Sequence, residues 1–118
     1  MKKILIVEDD GIVALINKRM VEKIGHEAYC CVSNGREAIK TCQKTNPDII
    51  LMDIHLEGDI DGIEAINQIR KFSNTPVIFI SANINQEILA KIKAIPFTDY
   101  LLKPVELIQL QTALGKLI

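Results

Sequence analysis

Runs of apolar residues recur along the chain, separated by stretches whose apolar residues fall at helical spacing. Residues 4–7, 49–52 and 77–80 have no polar position on either face, so they read as strands buried on both sides. Residues 27–32 and 99–102 read as two more strands. Between them lie five helical patterns. The first carries Ile12, Ile16, Met20 and Ile24, widened by Val13 and Val21. The second carries Ala38, Ile39 and Cys42, the third Ile63, Ile66 and Ile69. The fourth has Ile84, Ile88, Ile92 and Ile95, and the last Leu107, Leu110, Leu114 and Leu117. The punctuation agrees. Asp9 or Asp10 can cap the first helix and Gly25 ends it. Asn34 caps the second, with Glu37 reaching back. Asn46-Pro47, Thr75-Pro76 and Pro96 break the pattern before the later strands.

Strict alternation of strand and helix predicts an α/β fold, a doubly wound parallel sheet with helices on both faces. In such sheets ligands bind outside the carboxyl ends of the strands, where the strand order reverses. The predicted strand ends carry Glu8-Asp9, Asp53, Ser81 and Lys103. Each follows a nearly unbroken apolar run, so the pattern predicts that they converge on one site. Asp53 is the pivot. A carboxylate emerging from a strand buried on both faces is costly unless it belongs to a site.

Composition sharpens this picture mainly by exclusion. A length of 118 residues predicts one domain, residues 1–118, with enough core to need no disulfide. A formal net charge of −1 offers neither a nucleic-acid surface nor a polybasic membrane patch. No apolar run approaches the ~18 residues of a membrane span, and the apolar run after Met1-Lys2-Lys3 is too brief for a signal peptide. Cys30, Cys31 and Cys42 have no framework spacing and predict reduced, core or half-core thiols in a cytoplasmic protein. Cys30 and Cys31 are expected on opposite faces of a strand. His26, in a turn, reads as structural.

Glu8, Asp9 and Asp53 cannot share a small pocket unless they are protonated or neutralised. Oxygen-only ligands favour Mg2+ for that task, and no Cys or His pair has zinc spacing. A cation such as Lys103 and a hydroxyl such as Ser81 then suit a phosphoryl group transferred to Asp53. Taken alone, each residue has a plainer reading. The acids can be helix caps, Lys103 a solvated lysine, Ser81 a turn residue, Tyr100 packing and His55 a loop histidine.

Four motifs in order carry a resemblance. They are Val7-Glu8-Asp9-Asp10, Met52-Asp53, Ser81-Ala82 and Asp99-Tyr100-Leu101-Leu102-Lys103-Pro104. With them the chain resembles, over essentially its whole length, a response-regulator receiver domain, the phospho-acceptor half of two-component signalling. The resemblance implies a flavodoxin-like, five-stranded sheet of order 2-1-3-4-5. It implies Asp53 as phospho-acceptor and Mg2+ held by Asp9, by Asp53, by Glu8 through water and by the backbone carbonyl of His55. It further implies Ser81 and Tyr100 as switch residues, and Lys103 as the active-site lysine, joined to Pro104 by a cis bond. A sensor histidine kinase is the implied donor. The implied output is a protein bound at the face of the last strand and last two helices, with the domain a monomer or weak homodimer. Such a domain catalyses only its own phosphorylation and dephosphorylation and is not an enzyme in the usual sense. With no effector domain following in the sequence, the output is a bound protein, or the chain is the front piece of a longer kinase or regulator.

The chain departs from the family pattern in places. The loop at residues 56–62, Leu-Glu-Gly-Asp-Ile-Asp-Gly, lacks the Met-Pro pair of many relatives and is longer by one residue. Ile95-Pro96-Phe97 replaces the usual Gly-Ala before the last strand. His55 and Asn83 stand at the two positions that tune phosphoryl lifetime in the family. Two rivals remain at this level. A magnesium phosphohydrolase working through an aspartyl-phosphate would want an acid where His55 stands. A receiver-like module that is never phosphorylated would tend to have lost part of the Glu8, Asp9, Asp53, Ser81 and Lys103 set.

Overall fold

The computed structural model describes residues 1–118, the side chain of Cys30 excepted. Strands and helices alternate as β1 (Lys3–Val7), α1 (Gly11–Ile24), β2 (Glu27–Val32), α2 (Gly35–Thr45), β3 (Ile49–Asp53), α3 (Gly62–Ile69), β4 (Val77–Ser81), α4 (Gln86–Lys93), β5 (Thr98–Leu102) and α5 (Leu107–Leu117). The strands form one parallel sheet in the order β2-β1-β3-β4-β5. The chain steps outward from β1 to β2, then crosses to the other side for β3, β4 and β5. The direction of winding therefore reverses between β1 and β3.

Side chains alternate across the sheet and feed two cores. Leu5, Val7, Ile50, Met52, Val77 and Phe79 pack with residues of α2, α3 and α4 on one face. Ile4, Ile6, Ile49, Leu51, Ile78 and Ile80 pack with Val21 of α1 and with Leu110, Ala113 and Leu114 of α5 on the other. Every residue of β3 and β4 is buried, which is why those strands show no polar alternation in sequence. β2 and β5 are the sheet edges, and β5 is only partly covered.

The caps follow the local chemistry. The Asp10 carboxylate accepts from the amides of Ile12 and Val13 at the start of α1, and Gly25 closes that helix at φ 107°. Asn34 caps α2, but Glu37 reaches back to the Asn34 side-chain amide rather than to its backbone. Asp61 and Glu64 form a reciprocal capping box at α3.

Three sequence expectations need correction. Only the second half of the stripe assigned to α1 faces the core: Val21 is buried and Met20 and Ile24 pack against the core, but Ile12 and Ile16 are exposed. Apolar residues on α1 surround more than half the helix, so spacing alone does not choose the buried side. The fourth helix is shorter than its stripe. α4 spans Gln86–Lys93 after the Asn85 cap, leaving Ile84 before it and Ile95, buried, beyond it. Cys31 is exposed, because β2 is an edge strand, whereas Cys42 is buried as expected. The side chain of Cys30 lies outside the described residues.

Candidate functional site

The reversal between β1 and β3 brings the carboxyl ends of these two central strands side by side. Val7 pairs with Met52, so Glu8 and Asp53 leave the sheet at neighbouring points. Carboxylate oxygens of Glu8, Asp9 and Asp53 all lie within 4.8 Å of one another. Glu8 and Asp53 are each only 4% exposed, so this acidic group is not a solvated patch. From the far side Lys103, at the end of β5, brings its Nζ to 3.0 Å from Glu8 Oε1 and 3.4 Å from Asp53 Oδ2.

Backbone geometry fixes these positions. The Glu8 amide donates to the Val32 carbonyl at 3.0 Å, and the Lys103 amide to the Ser81 carbonyl at 2.8 Å. The Lys103-Pro104 bond is cis, as the family resemblance implied. The His55 amide donates to Asp53 Oδ1 at 3.2 Å, while its side chain is exposed. The chain then leaves and returns beneath Asp53, where the Gly62 amide donates to the Ile54 carbonyl. A Cβ on Gly62 would collide with the Asp53 carbonyl oxygen, so only glycine permits that return.

The electrostatics are unbalanced. Glu8 Oε1 is fully buried and accepts no hydrogen bond among the described residues; its contact with the Lys103 ammonium at 3.0 Å is an ion pair. Burial first, then the neighbouring Asp53 carboxylate, push the Glu8 carboxyl up to about 7, against the opposing pull of Lys103 and the Asp10 amide. Burial lowers the Lys103 ammonium, but Glu8 and Asp53 together outweigh it and leave it above its ordinary value. Three carboxylates facing one ammonium leave negative charge uncompensated. Three clustered carboxylates that one ammonium does not balance, an all-oxygen donor set, suit a hard divalent cation, so the residues present fit a magnesium ion.

The other expected residues lie around this cluster. Ser81 is fully buried at the end of β4. Its hydroxyl donates to the Asn83 carbonyl at 2.8 Å and accepts from the Asn83 amide at 3.2 Å. Tyr100 is more than a third exposed on β5 and lines a groove with Ile108, Gln109 and Thr112 of α5. His26 accepts from the Lys2 amide and lies outside the site.

In sequence, residues 56–62 read only as a loop, and the anchorage of that loop was missed. The Glu57 amide donates to Asp9 Oδ2 at 3.1 Å. Arg36, on the first turn of α2, grips Asp59 through both Nε and Nη2. That grip raises Arg36 and lowers Asp59 from their ordinary pKa values. The available signal was an arginine just after a helix cap and an acid in a glycine-bearing loop, and nothing in the sequence marks those two as neighbours.

The chain belongs to the family of response regulator receiver domains, whose model matches residues 4–115. It is thus a receiver domain of two-component signalling and not a classical enzyme, which removes the phosphohydrolase reading. It is 32% identical over 117 residues to the chemotaxis protein CheY of Thermotoga maritima, covering 98% of this chain and 96% of that protein. It is 47% identical over 73 residues to a probable histidine kinase 1 of Oryza sativa subsp. indica, covering 62% of this chain and 7% of the kinase. Among solved structures, the signal receiver domain of a modulated diguanylate cyclase from Desulfovibrio desulfuricans superimposes with a TM-score of 0.90 at 33% identity, covering 100% of this chain and 94% of that one. The chain spans about half the length of several other curated regulators that it matches. Among the described residues, no helix is long and apolar enough to cross a membrane.

Proposed function

We propose that residues 1–118 form one phospho-acceptor unit in which Asp53 takes a phosphoryl group from a phosphohistidine of a sensor kinase. The observation that carries this reading is a buried carboxylate at the end of the central strand, with Glu8 and Asp9 within 4.8 Å and Lys103 Nζ at 3.4 Å. Glu8, Asp9, Asp53 and the His55 carbonyl are the residues proposed to hold Mg2+. When bound, the ion neutralises charge on the acids and on the transferred group.

An ionised Asp53 oxygen attacks phosphorus. A new O–P bond forms, the P–N bond to the donor imidazole breaks, and that ring nitrogen leaves with the electron pair. Lys103 places a positive charge where the phosphoryl oxygens collect negative charge. Water later attacks phosphorus, releases phosphate and restores the carboxylate. Ser81 and Tyr100 are the proposed reporters. The Ser81 hydroxyl, held by Asn83 in the resting domain, exchanges that partner for a phosphoryl oxygen. Tyr100 then turns inward from the β5–α5 groove. The output face is that of β5 with α4 and α5, where Tyr100, Leu102 and Ile108 are exposed apolar residues. Its partner is a protein rather than nucleic acid, in keeping with the net charge of −1. We place the domain in the cytoplasm, as a monomer or weak homodimer.

The test is incubation with Mg2+ and acetyl phosphate, read by intact mass. One phosphoryl group is expected on the wild-type chain, none without Mg2+ and none on Asp53→Asn. Equal incorporation into Asp53→Asn would overturn the assignment.

A further inference from the structure

We infer that Arg36 is a positioning residue for the acidic site, acting through Asp59 and the loop between β3 and α3 to hold the Glu57 amide on Asp9. The inference rests on the function proposed above. Asp9 stands just outside β1, and its Oδ2 is held by the Glu57 amide at 3.1 Å. Glu57 belongs to a loop that leaves β3 and must return beneath Asp53, and its hold on Asp9 depends on how that loop is anchored. Gly58, the next residue, sits at φ 118°, a left-handed conformation with open space around it. It gives the loop a hinge and no packing.

Anchorage comes one residue later, on both sides of the loop. Outward, the Arg36 guanidinium reaches Asp59 with Nη2–Oδ2 at 2.8 Å, Nε–Oδ2 at 3.2 Å and Nε–Oδ1 at 3.3 Å. Inward, Ile60 is buried and lies so close to Gly35 that a Cβ there would sit 2.8 Å from Ile60 Cγ1. Arg36 and Gly35 are consecutive residues at the start of α2, so one helix turn grips the loop by a charged fork and a hydrophobic seat together. The fork fixes orientation as well as distance, which a point charge on lysine would not do. The strap thus runs from α2 through Asp59, the Gly58 hinge and the Glu57 amide to Asp9. Ordering Asp9 beforehand removes part of the cost of gathering three carboxylates around a cation. The same grip explains how a loop without proline stays in place.

The Arg36 side chain is about half exposed, so replacing it is expected to leave the fold intact, which circular dichroism checks. The experiment is a Mg2+ titration of the full chain, followed by the backbone amide signals of Asp9 and Glu57. Arg36→Ala is expected to raise the Mg2+ midpoint about threefold, a size suited to an exposed ion pair acting at one remove. It is expected to speed hydrogen exchange at the Glu57 amide before any metal is added. The limiting rate of phosphorylation by acetyl phosphate at saturating Mg2+ stays at the wild-type value. Arg36→Lys recovers part of the midpoint, and exchanging the pair, Arg36→Asp with Asp59→Arg, recovers most of it. An unchanged midpoint and unchanged Glu57 exchange in Arg36→Ala, in a chain that still binds Mg2+ and takes phosphate, would overturn the strap alone. A wild-type chain that takes up no Mg2+ would overturn the strap and the functional reading together.

Discussion

The two ends of the sheet treat polar groups in opposite ways. At the amino ends of the strands every polar group named here has a matched partner. The Lys3 amide donates to Asp48 Oδ2 at 2.7 Å before β3. Arg70 donates to the carbonyls of Pro96, Phe97 and Ser73, pinning the turns before β4 and β5. The Ser73 and Thr75 hydroxyls share a hydrogen bond of 2.7 Å, and Thr98 Oγ1 donates to the Ile92 and Ile95 carbonyls. At the carboxyl ends, three carboxylates face one ammonium and Glu8 Oε1 is buried without a hydrogen bond. Satisfied polar groups hold a fold together. A cluster left unsatisfied at a stability cost marks the end of the sheet where a ligand is meant to complete the set.

The contrast can be broken most severely at Gly62. If the carboxyl end were merely loose, a methyl group there would be absorbed. Its Cβ would instead meet the Asp53 carbonyl, Met52 Cγ at 2.9 Å and Ile54 Cα at 3.0 Å. Gly62→Ala is therefore expected to cost about 3 kcal/mol in urea denaturation, the upper range for overpacking a tight site. The amino end gives the next largest effect. Arg70→Ala removes charged hydrogen bonds to three carbonyls and is expected to cost about 2 kcal/mol, with Mg2+ affinity unchanged.

Glu8→Gln should change stability with the opposite sign. The Glu8 carboxyl titrates at about 7 in the folded chain, against an ordinary 4.5. The folded state therefore keeps a proton that the unfolded state has lost between those values. The group does not weigh on folding below pH 4.5, and it destabilises increasingly as pH rises to about 7. Glu8→Gln is expected to gain about 1 kcal/mol at pH 8 and nothing at pH 4, in denaturation curves at the two pH values. The smallest expected effect is that of Mg2+ on the wild-type chain. At three times its dissociation constant it should add about 0.8 kcal/mol at pH 8, and less at pH 5, where Glu8 already carries a proton. Equal stabilisation at both pH values would contradict the origin assigned to the imbalance.

Most of the fold and the centre of the site were legible because both are written in contiguous runs. β3 and β4 show as unbroken apolar segments, and Asp53 and Ser81 end them. Parallel pairing then carries Glu8 to Asp53 without further information. What the sequence hid depends on partners distant along the chain. The exposed side of α1 is set by where that helix crosses the sheet, and Ile12 and Ile16 look no different in sequence from Val21. The Arg36–Asp59 grip joins residues 23 positions apart on an exposed surface, where charged residues are common and mostly unpaired. The Glu57 amide on Asp9 is a backbone contact, which no side-chain pattern announces.

The central claim is that the unbalanced end of the sheet carries one reactive carboxylate, that of Asp53. Its most direct test is chemical trapping. The chain is incubated with Mg2+ and acetyl phosphate, reduced with borohydride and digested, and the peptides are sequenced by mass spectrometry. An aspartyl-phosphate is an acyl phosphate, and borohydride reduces it to the alcohol, leaving homoserine in place of aspartate. Homoserine at position 53 alone, appearing only with Mg2+, is the predicted result. Homoserine at Asp9 or elsewhere, or its absence from a folded chain, would contradict the claim.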